Sequence, residues 1–323
     1  MAPAESRILV TGAEGFVGRW LLRTLVSVLP SGATIAGCAR AGCEAHAPPG
    51  VKSFVLDVTD RVSVRDAVRS FRPTGIFHLA AIASIGVARN DAHLAWDVNL
   101  GGTMNVAEAL MSEAPDTRLV FAGTSDAYGG TFARIPRPVD EDAALDPTNV
   151  YAASKAAADL MLGQMAREGL QVVRMRPFNH TGPGQAEAYV IPAFAAQIAR
   201  IDQGRQEPVL RVGNLEAARD FLDVRDVVAG YVAALLAPRI EAGTILNLAS
   251  GIPRRIGDVL DALLRASVTQ IRIEQDPARM RPSEVPVAVG SSRRAEALLG
   301  WRPAIPFEQT LADVLDHFRA APT

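Results

Sequence analysis

Tyr151 and Lys155 stand four residues apart in Tyr151-Ala-Ala-Ser-Lys155. On a helix, residues at that spacing share a face, so a phenol and an ammonium point into one site. A tyrosine hydroxyl titrates near ~10 in water and exchanges protons poorly at neutral pH. A neighbouring lysine charge favours the phenolate and moves the pKa towards working pH. The chain holds 33 basic residues, of which only Lys52 and Lys155 are lysines. A compact ammonium suits a cofactor ribose better than the broad fork of an arginine. The pair reads as a proton-transferring tyrosine with its charged partner.

A second group of residues suits a dinucleotide. Gly12-x-x-Gly15-Phe16-Val17-Gly18 falls between a strand pattern and a helix pattern near the start of the chain. Glycines there let backbone N–H groups approach a pyrophosphate at the partial positive charge of a helix N-terminus. The alternative use of the same glycines is tight packing of helix on strand. The second strand ends Gly37-Cys38-Ala39-Arg40, with no acid before Glu44. An arginine there accommodates a 2′-phosphate, so NADP(H) is the expected cofactor, with NAD(H) as the other possibility. Asp57 and Val58 end the third strand, where a carboxylate meets the adenine amino group; Asp57 equally suits a cap on the following helix. Leu79, Ala80 and Ala81 follow His78, and small residues there let a cofactor lie close to the chain. His78 itself lacks a ligand-spaced partner and reads as structural, and no metal is expected.

Composition sets the frame. The chain has 323 residues, 49 % hydrophobic and 21 % charged, enough for a large core or two modest ones. A net charge of −2 gives no bulk attraction to nucleic acid. Cys38 and Cys43 are too few for a disulfide framework. No signal segment and no run of 18 apolar residues is apparent, which predicts a cytoplasmic protein without a membrane anchor.

The elements that must position these residues follow from periodicity. Strands are expected at 7–12, 34–39, 53–58, 75–81, 117–124 and 171–176. Helices are expected at 16–29, 63–71, 92–112 and 151–168. Strands alternate with helices and are continuous apolar runs, which predicts an α/β fold with a doubly wound parallel sheet covered on both faces. After residue 177 come helices at 193–201, 224–236 and 256–266, with short strands at 209–212, 245–249 and 270–274. A dinucleotide domain over 1–177, joined by 218–250, and a smaller, mostly C-terminal α/β substrate domain over 178–323 is the expected division.

The motifs named so far, with Thr124-Ser125, Arg176-Pro-Phe-Asn179 and Arg219-Asp-Phe-Leu-Asp-Val-Arg-Asp226, occur in an order that resembles the extended short-chain dehydrogenase/reductases acting on nucleotide sugars. The resemblance covers nearly the whole chain. Arg176-Pro-Phe-Asn-His-Thr-Gly-Pro-Gly-Gln185 and Gln275-Asp-Pro-Ala-Arg-Met-Arg-Pro282 are similar to the GDP-mannose branch of that family. It implies a Rossmann sheet and reduction, by NAD(P)H, of the 4-keto group of a GDP-linked 4-keto-6-deoxyhexose: GDP-4-keto-6-deoxy-D-mannose to GDP-D-rhamnose.

The resemblance also implies roles. Tyr151 gives the proton, Lys155 holds the ribose and lowers the phenol pKa, and Thr124 or Ser125 hydrogen-bonds the reacting oxygen. Asp126 stands where the dehydratases of the branch carry a glutamate that removes the C5 proton; losing more than ~1 Å of reach argues for the reductase. Asn179 holds sugar or phosphate, Val190 lies near the base, and Arg219 and Arg279, with Arg281 as a further candidate, pair with the pyrophosphate. His180 is expected to shape its loop. Such enzymes often form homodimers through the helices that here span 92–112 and 151–168, with Met104, Met161, Leu162 and Met165 as patch or core. A GDP-mannose 4,6-dehydratase, a nucleotide-sugar 4-epimerase and a non-catalytic dinucleotide sensor are the competing readings.

Overall fold

Alternate residues of the first strand serve two different cores. Ile8 and Val10 pack with Leu21, Leu22 and Leu25 of the helix Phe16–Val28 and with Val227, Val228 and Tyr231 of the helix Val224–Leu236. Leu9 packs on the opposite face with Val64, Val68 and Phe71 of the helix Arg61–Phe71, and with residues of Thr103–Glu113 and Val150–Arg167. A strand buried on both faces has no polar side to show, which is why it reads as an unbroken apolar run. This computed structural model describes residues 6–42, 47–136, 138–279 and 285–320. Cys43, Glu44, Arg281 and Pro282 lie outside the described residues.

The strands in chain order are β1 (Arg7–Thr11), β2 (Thr34–Ala39), β3 (Val51–Val55), β4 (Gly75–His78), β5 (Arg118–Ala122) and β6 (Val172–Pro177). There follow β7 (Asn179–Thr181), β8 (Val209–Val212), β9 (Ala218–Asp223) and β10 (Ile245–Leu248). The last are β11 (Pro253–Arg255), β12 (Arg272–Gln275) and β13 (Val287–Ala288). Seven form one sheet in the order β10-β6-β5-β4-β1-β2-β3. Every pairing in it is parallel. The order reverses between β1 and β4, and a crevice opens at the carboxyl ends of strands where that happens. β10 pairs with β6, so a segment past residue 240 returns to the main sheet. Beyond it, β7, β11 and β13 pair with β9, and β8 with β12. A separate core there joins the helices Val190–Asp202, Ile256–Leu264 and Phe307–Ala320.

Three expectations need correction. The third strand runs over Val51–Val55, not 53–58. It is the sheet edge and leaves Val55 exposed; Leu56 still bonds Ala39 O, and an Asp57–Thr59 turn then ends the run. The fourth strand stops at His78 rather than 81, because Ala80 N–H turns to the Thr11 side chain. The single helix expected over 92–112 is Ala92–Trp96, a π-helical turn over Asp97–Gly102, and Thr103–Glu113, preceded by a helix at Ile85–Asn90. Of the residues offered for a dimer patch, Leu162 and Met165 are core, Met161 packs against that core, and Met104 is exposed. No helix among the described residues is long and apolar enough to cross a membrane.

Candidate active site

A cavity of about 670 Å³ opens at the switch point. Its wall includes Gly12, Gly15, Phe16, Val17 and Gly18 on one side, and Leu79, Ala80 and Ala81 on another. Arg40, Asp57 and Val58 stand at the ends of β2 and β3. Thr124, Ser125, Asp126, Tyr151 and Asn179 complete the far end. Lys155 is buried behind that wall, with its Nζ 4.2 Å from the ring centroid of Phe121. Val190, Arg219 and Arg279 are not on the wall. Val190 follows the wall residue Tyr189, and Arg279 pairs with Asp276 at 3.4 Å.

The glycine turn fits a dinucleotide and also has a packing reason. Gly12 has φ +67°, and a Cβ on it would lie 2.7 Å from Ala80 N. A Cβ on Gly18 would lie 2.4 Å from Gly12 O. Gly15 caps the helix Phe16–Val28 without a side-chain hydrogen bond, so the positive end of that helix faces the cavity. Asp60, not Asp57, caps the helix Arg61–Phe71, accepting from Val62 and Ser63 N–H. Asp57 accepts from Thr59 N–H and Oγ1–H instead, and those bonds hold its carboxyl below the usual range.

His78 is wired into the scaffold. Thr103 Oγ1–H donates to Asn99 O at 2.6 Å, so at its 3.0 Å contact with His78 the hydroxyl accepts from Nε2–H. Nδ1 is then the acceptor for Thr11 Oγ1–H at 2.8 Å, and Thr11 accepts in turn from Ala80 N–H at 3.3 Å. Burial, then the Lys155 charge, push the ring down to about 3, which keeps this neutral form. In the π turn, Asn99 accepts from Ile82 N–H at 2.8 Å and donates to Ser154 Oγ at 2.9 Å. One side chain thus joins the cavity wall to the helix that carries Tyr151 and Lys155.

At the far end, Tyr151 and Thr124 stand together on the cavity wall. Thr124 Oγ1 also accepts from Asp126 N–H at 3.2 Å and so caps the short turn Ser125–Tyr128. Burial raises Asp126, opposed by the charge of Arg219. In the turn that follows, Gly130 N–H donates to Asp146 O at 2.9 Å. His180 Nδ1 is 2.9 Å from Phe178 O, and its ring stacks on Phe16 at 6.4 Å.

One expected effect is reversed. The phenol of Tyr151 is pushed above its ordinary range, by burial first and then by the charge of Asp126, with the neighbouring Thr124 opposing. Lys155 was expected to lower it. Burial instead brings the ammonium itself down to about 7, with Asp159 opposing, and desolvation outweighs attraction at both groups. Among the wall residues given no role by the sequence motifs are Tyr189, whose charge would be felt by Tyr151, and Glu14 within the glycine turn. An isolated tyrosine in a loop carries no signal of its own, whereas an acid inside a glycine turn is a visible oddity.

A family model described as GDP-mannose 4,6 dehydratase matches residues 9–314. The chain belongs to the GDP-mannose 4,6-dehydratase family. That family lies within the extended short-chain dehydrogenase/reductases, and the chain is an NAD(P)-dependent enzyme of that class. The chain is 33 % identical to the GDP-6-deoxy-D-mannose reductase of Pseudomonas aeruginosa, over 97 % of both chains. The structure of RMD from Pseudomonas aeruginosa complexed with NADPH superposes with a TM-score of 0.83 at 32 % identity, covering 98 % of this chain and 99 % of that one. The Thermus thermophilus UDP-glucose 4-epimerase complexed with NAD gives 0.84 at 32 % identity, covering 98 % and 100 %.

Proposed function

We propose that the enzyme reduces the 4-keto group of a GDP-linked 4-keto-6-deoxyhexose, taking GDP-4-keto-6-deoxy-D-mannose to GDP-D-rhamnose. The observation that carries this reading is the meeting of Tyr151, Thr124 and Ser125 on the wall of the dinucleotide crevice. The reduced nicotinamide supplies the hydride to C4. Tyr151 gives a proton to the C4 oxygen, and a phenol held protonated by burial is the state that step needs. The Thr124 hydroxyl, with Ser125 beside it, hydrogen-bonds the same oxygen as charge develops on it. Lys155 holds the ribose hydroxyls. Gly12 to Gly18 and the helix N-terminus bind the pyrophosphate, Leu79 to Ala81 give the ring room, and Asp57 and Val58 meet the adenine.

The sugar nucleotide lies beyond this end. Asn179 takes a sugar or phosphate oxygen, Arg219 and Arg279 take the diphosphate, and Val190 contacts the base. In this division residues 1–177 with 218–250 serve the dinucleotide, and 178–323 serve the sugar nucleotide. A cytoplasmic homodimer through the helices of residues 92–113 and 150–167, which expose Trp96, Met104 and Leu160, is the assembly proposed. Asp126 is one methylene shorter than a glutamate, a poor property for a base that must reach a C5 proton. The dehydratase reading is disfavoured on that ground.

The test is reduced-nicotinamide consumption with fresh GDP-4-keto-6-deoxymannose, NADPH and NADH run in parallel. Absence of consumption with both sinks the proposal. GDP-mannose alone should give no keto sugar; its appearance would instead identify a dehydratase. The likeness to the 4-epimerase supports a second reading, in which the sugar is inverted at C4 with no net use of reductant.

A further inference from the structure

Strand β2 ends without the carboxylate that dinucleotide folds commonly place there for a ribose hydroxyl. The glycine turn brings one to the same place. Ala13 N–H donates to Cys38 O at 3.1 Å, which ties that turn to the end of β2. The next residue is Glu14, and its charge reaches the Cys38 thiol, adding to the burial that raises it to about 12. Glu14, Cys38 and Arg40 all line the cavity.

Glu14 Oε2 is buried and has no hydrogen-bond partner among the described residues. A carboxylate oxygen withdrawn from water without a donor is costly, and a ligand hydroxyl would relieve that cost. At the end of β2 the hydroxyls within reach are those of the adenosine ribose. Arg40, which by type suits a 2′-phosphate, is exposed, and its charge falls on Asp57.

We propose that Glu14 selects the cofactor: its carboxylate accepts the adenosine ribose hydroxyls of NAD(H) and repels the 2′-phosphate of NADP(H). The site discriminates by an unfavourable charge as well as by a favourable hydrogen bond. This assigns NAD(H) as the bound dinucleotide in spite of Arg40. It rests on the crevice holding a nicotinamide dinucleotide and is independent of which sugar is reduced.

The experiment is titration of the purified full chain with NADH and with NADPH by calorimetry, with no sugar nucleotide present. The wild type should bind NADH at least about tenfold more tightly than NADPH, the scale of one charge-assisted hydrogen bond. Glu14→Gln keeps the side-chain shape and removes the charge. It should tighten NADPH binding about tenfold or more and weaken NADH binding by less than that. In Arg40→Ala, NADH should remain the tighter ligand. A wild-type preference for NADPH, or an unchanged ratio in Glu14→Gln, overturns the proposal. If Glu14→Gln does not fold, the other two proteins decide: an NADH preference that survives Arg40→Ala supports it, and an NADPH preference lost in Arg40→Ala overturns it. Binding of neither dinucleotide to the wild type overturns the cofactor site itself. A wrong sugar assignment changes none of these results.

Discussion

Asp159 accepts hydrogen bonds from Arg176 Nε at 3.0 Å and Arg176 Nη2 at 2.9 Å, one helical turn after Lys155. Arg174 Nη1 adds a third at 3.0 Å. Arg176 also donates to Tyr128 Oη at 3.0 Å, and Tyr128 donates to Asn247 Oδ1 at 2.8 Å. One carboxylate thus fixes the helix of Tyr151 and Lys155 against β6, and through Tyr128 against β10. Asp159→Ala would leave two arginines without their partner, Arg176 fully buried. The expected loss is ~3–5 kcal/mol of stability. Urea unfolding of the variant checks it, and a loss under ~1 kcal/mol would reduce the network to decoration.

Tyr151→Phe removes the proton that the proposed reaction requires and little else. Turnover with the keto sugar should fall by ~10²–10⁴-fold. KM should change far less, since the hydroxyl acts on the reacting oxygen. Thr124→Val removes both the contact to Tyr151 and the cap on Ser125–Tyr128. It should lower turnover and also cost ~0.5–2 kcal/mol of stability. Steady-state kinetics beside urea melts would separate these effects. Equal turnover in Tyr151→Phe removes the tyrosine as the acid.

Lys155 makes stability depend on pH in a direction opposite to that of most lysines. Burial lowers it from 10.5 to about 7 in the folded chain. Between those values the unfolded chain binds the extra proton, so unfolding becomes harder as pH rises. Cys38 acts the other way, going from 9.0 to about 12, and weakens the fold once the unfolded thiol ionises. The clean window is therefore about pH 7 to 8.5. Wild-type unfolding free energy should climb there by up to ~1.4 kcal/mol per pH unit. Lys155→Met should show a flatter profile. Parallel profiles for the two proteins would contradict a depressed lysine.

The central sheet was legible because strands covered on both faces carry no polar alternation. β9 was not. Arg219, Asp220 and Asp223 interrupt its apolar pattern, and only the fold reveals the reason. Asp220 is fully buried and accepts from Ser250 N–H and Oγ–H, Gly251 N–H and Gly290 N–H. The π turn inside the long helix was equally hidden, since the same residues suit an unbroken helix. Its cause is a contact across the chain, Asn99 to Ile82 and Ser154. The glycine, Tyr-x-x-x-Lys and Thr124-Ser125 motifs meet at one cavity because all lie at strand ends or at the helix beside them. Tyr189 reaches it only through how the chain is wrapped, which spacing does not encode, whereas Glu14 arrives with the glycine turn that contains it.

The three glycines of the turn look equivalent in the sequence and are not equivalent in space. At Gly18 a methyl group would meet the carbonyl oxygens of Gly12 and Ala13 at 2.4 and 2.7 Å, both backbone atoms that cannot swing aside. At Gly15 the nearest atom is Gly12 O at 3.2 Å, which a small shift would accommodate. Gly18→Ala should push the helix Phe16–Val28 off the turn, costing ~1–3 kcal/mol of stability. It should also weaken dinucleotide binding by about tenfold or more, since the helix N-terminus moves with it. Gly15→Ala should leave stability within ~1 kcal/mol and act mainly on affinity, where the backbone approaches the pyrophosphate. Urea melts and NADH titrations on both variants test the ranking. Equal stability losses would mean that the turn is held by packing alone at every glycine.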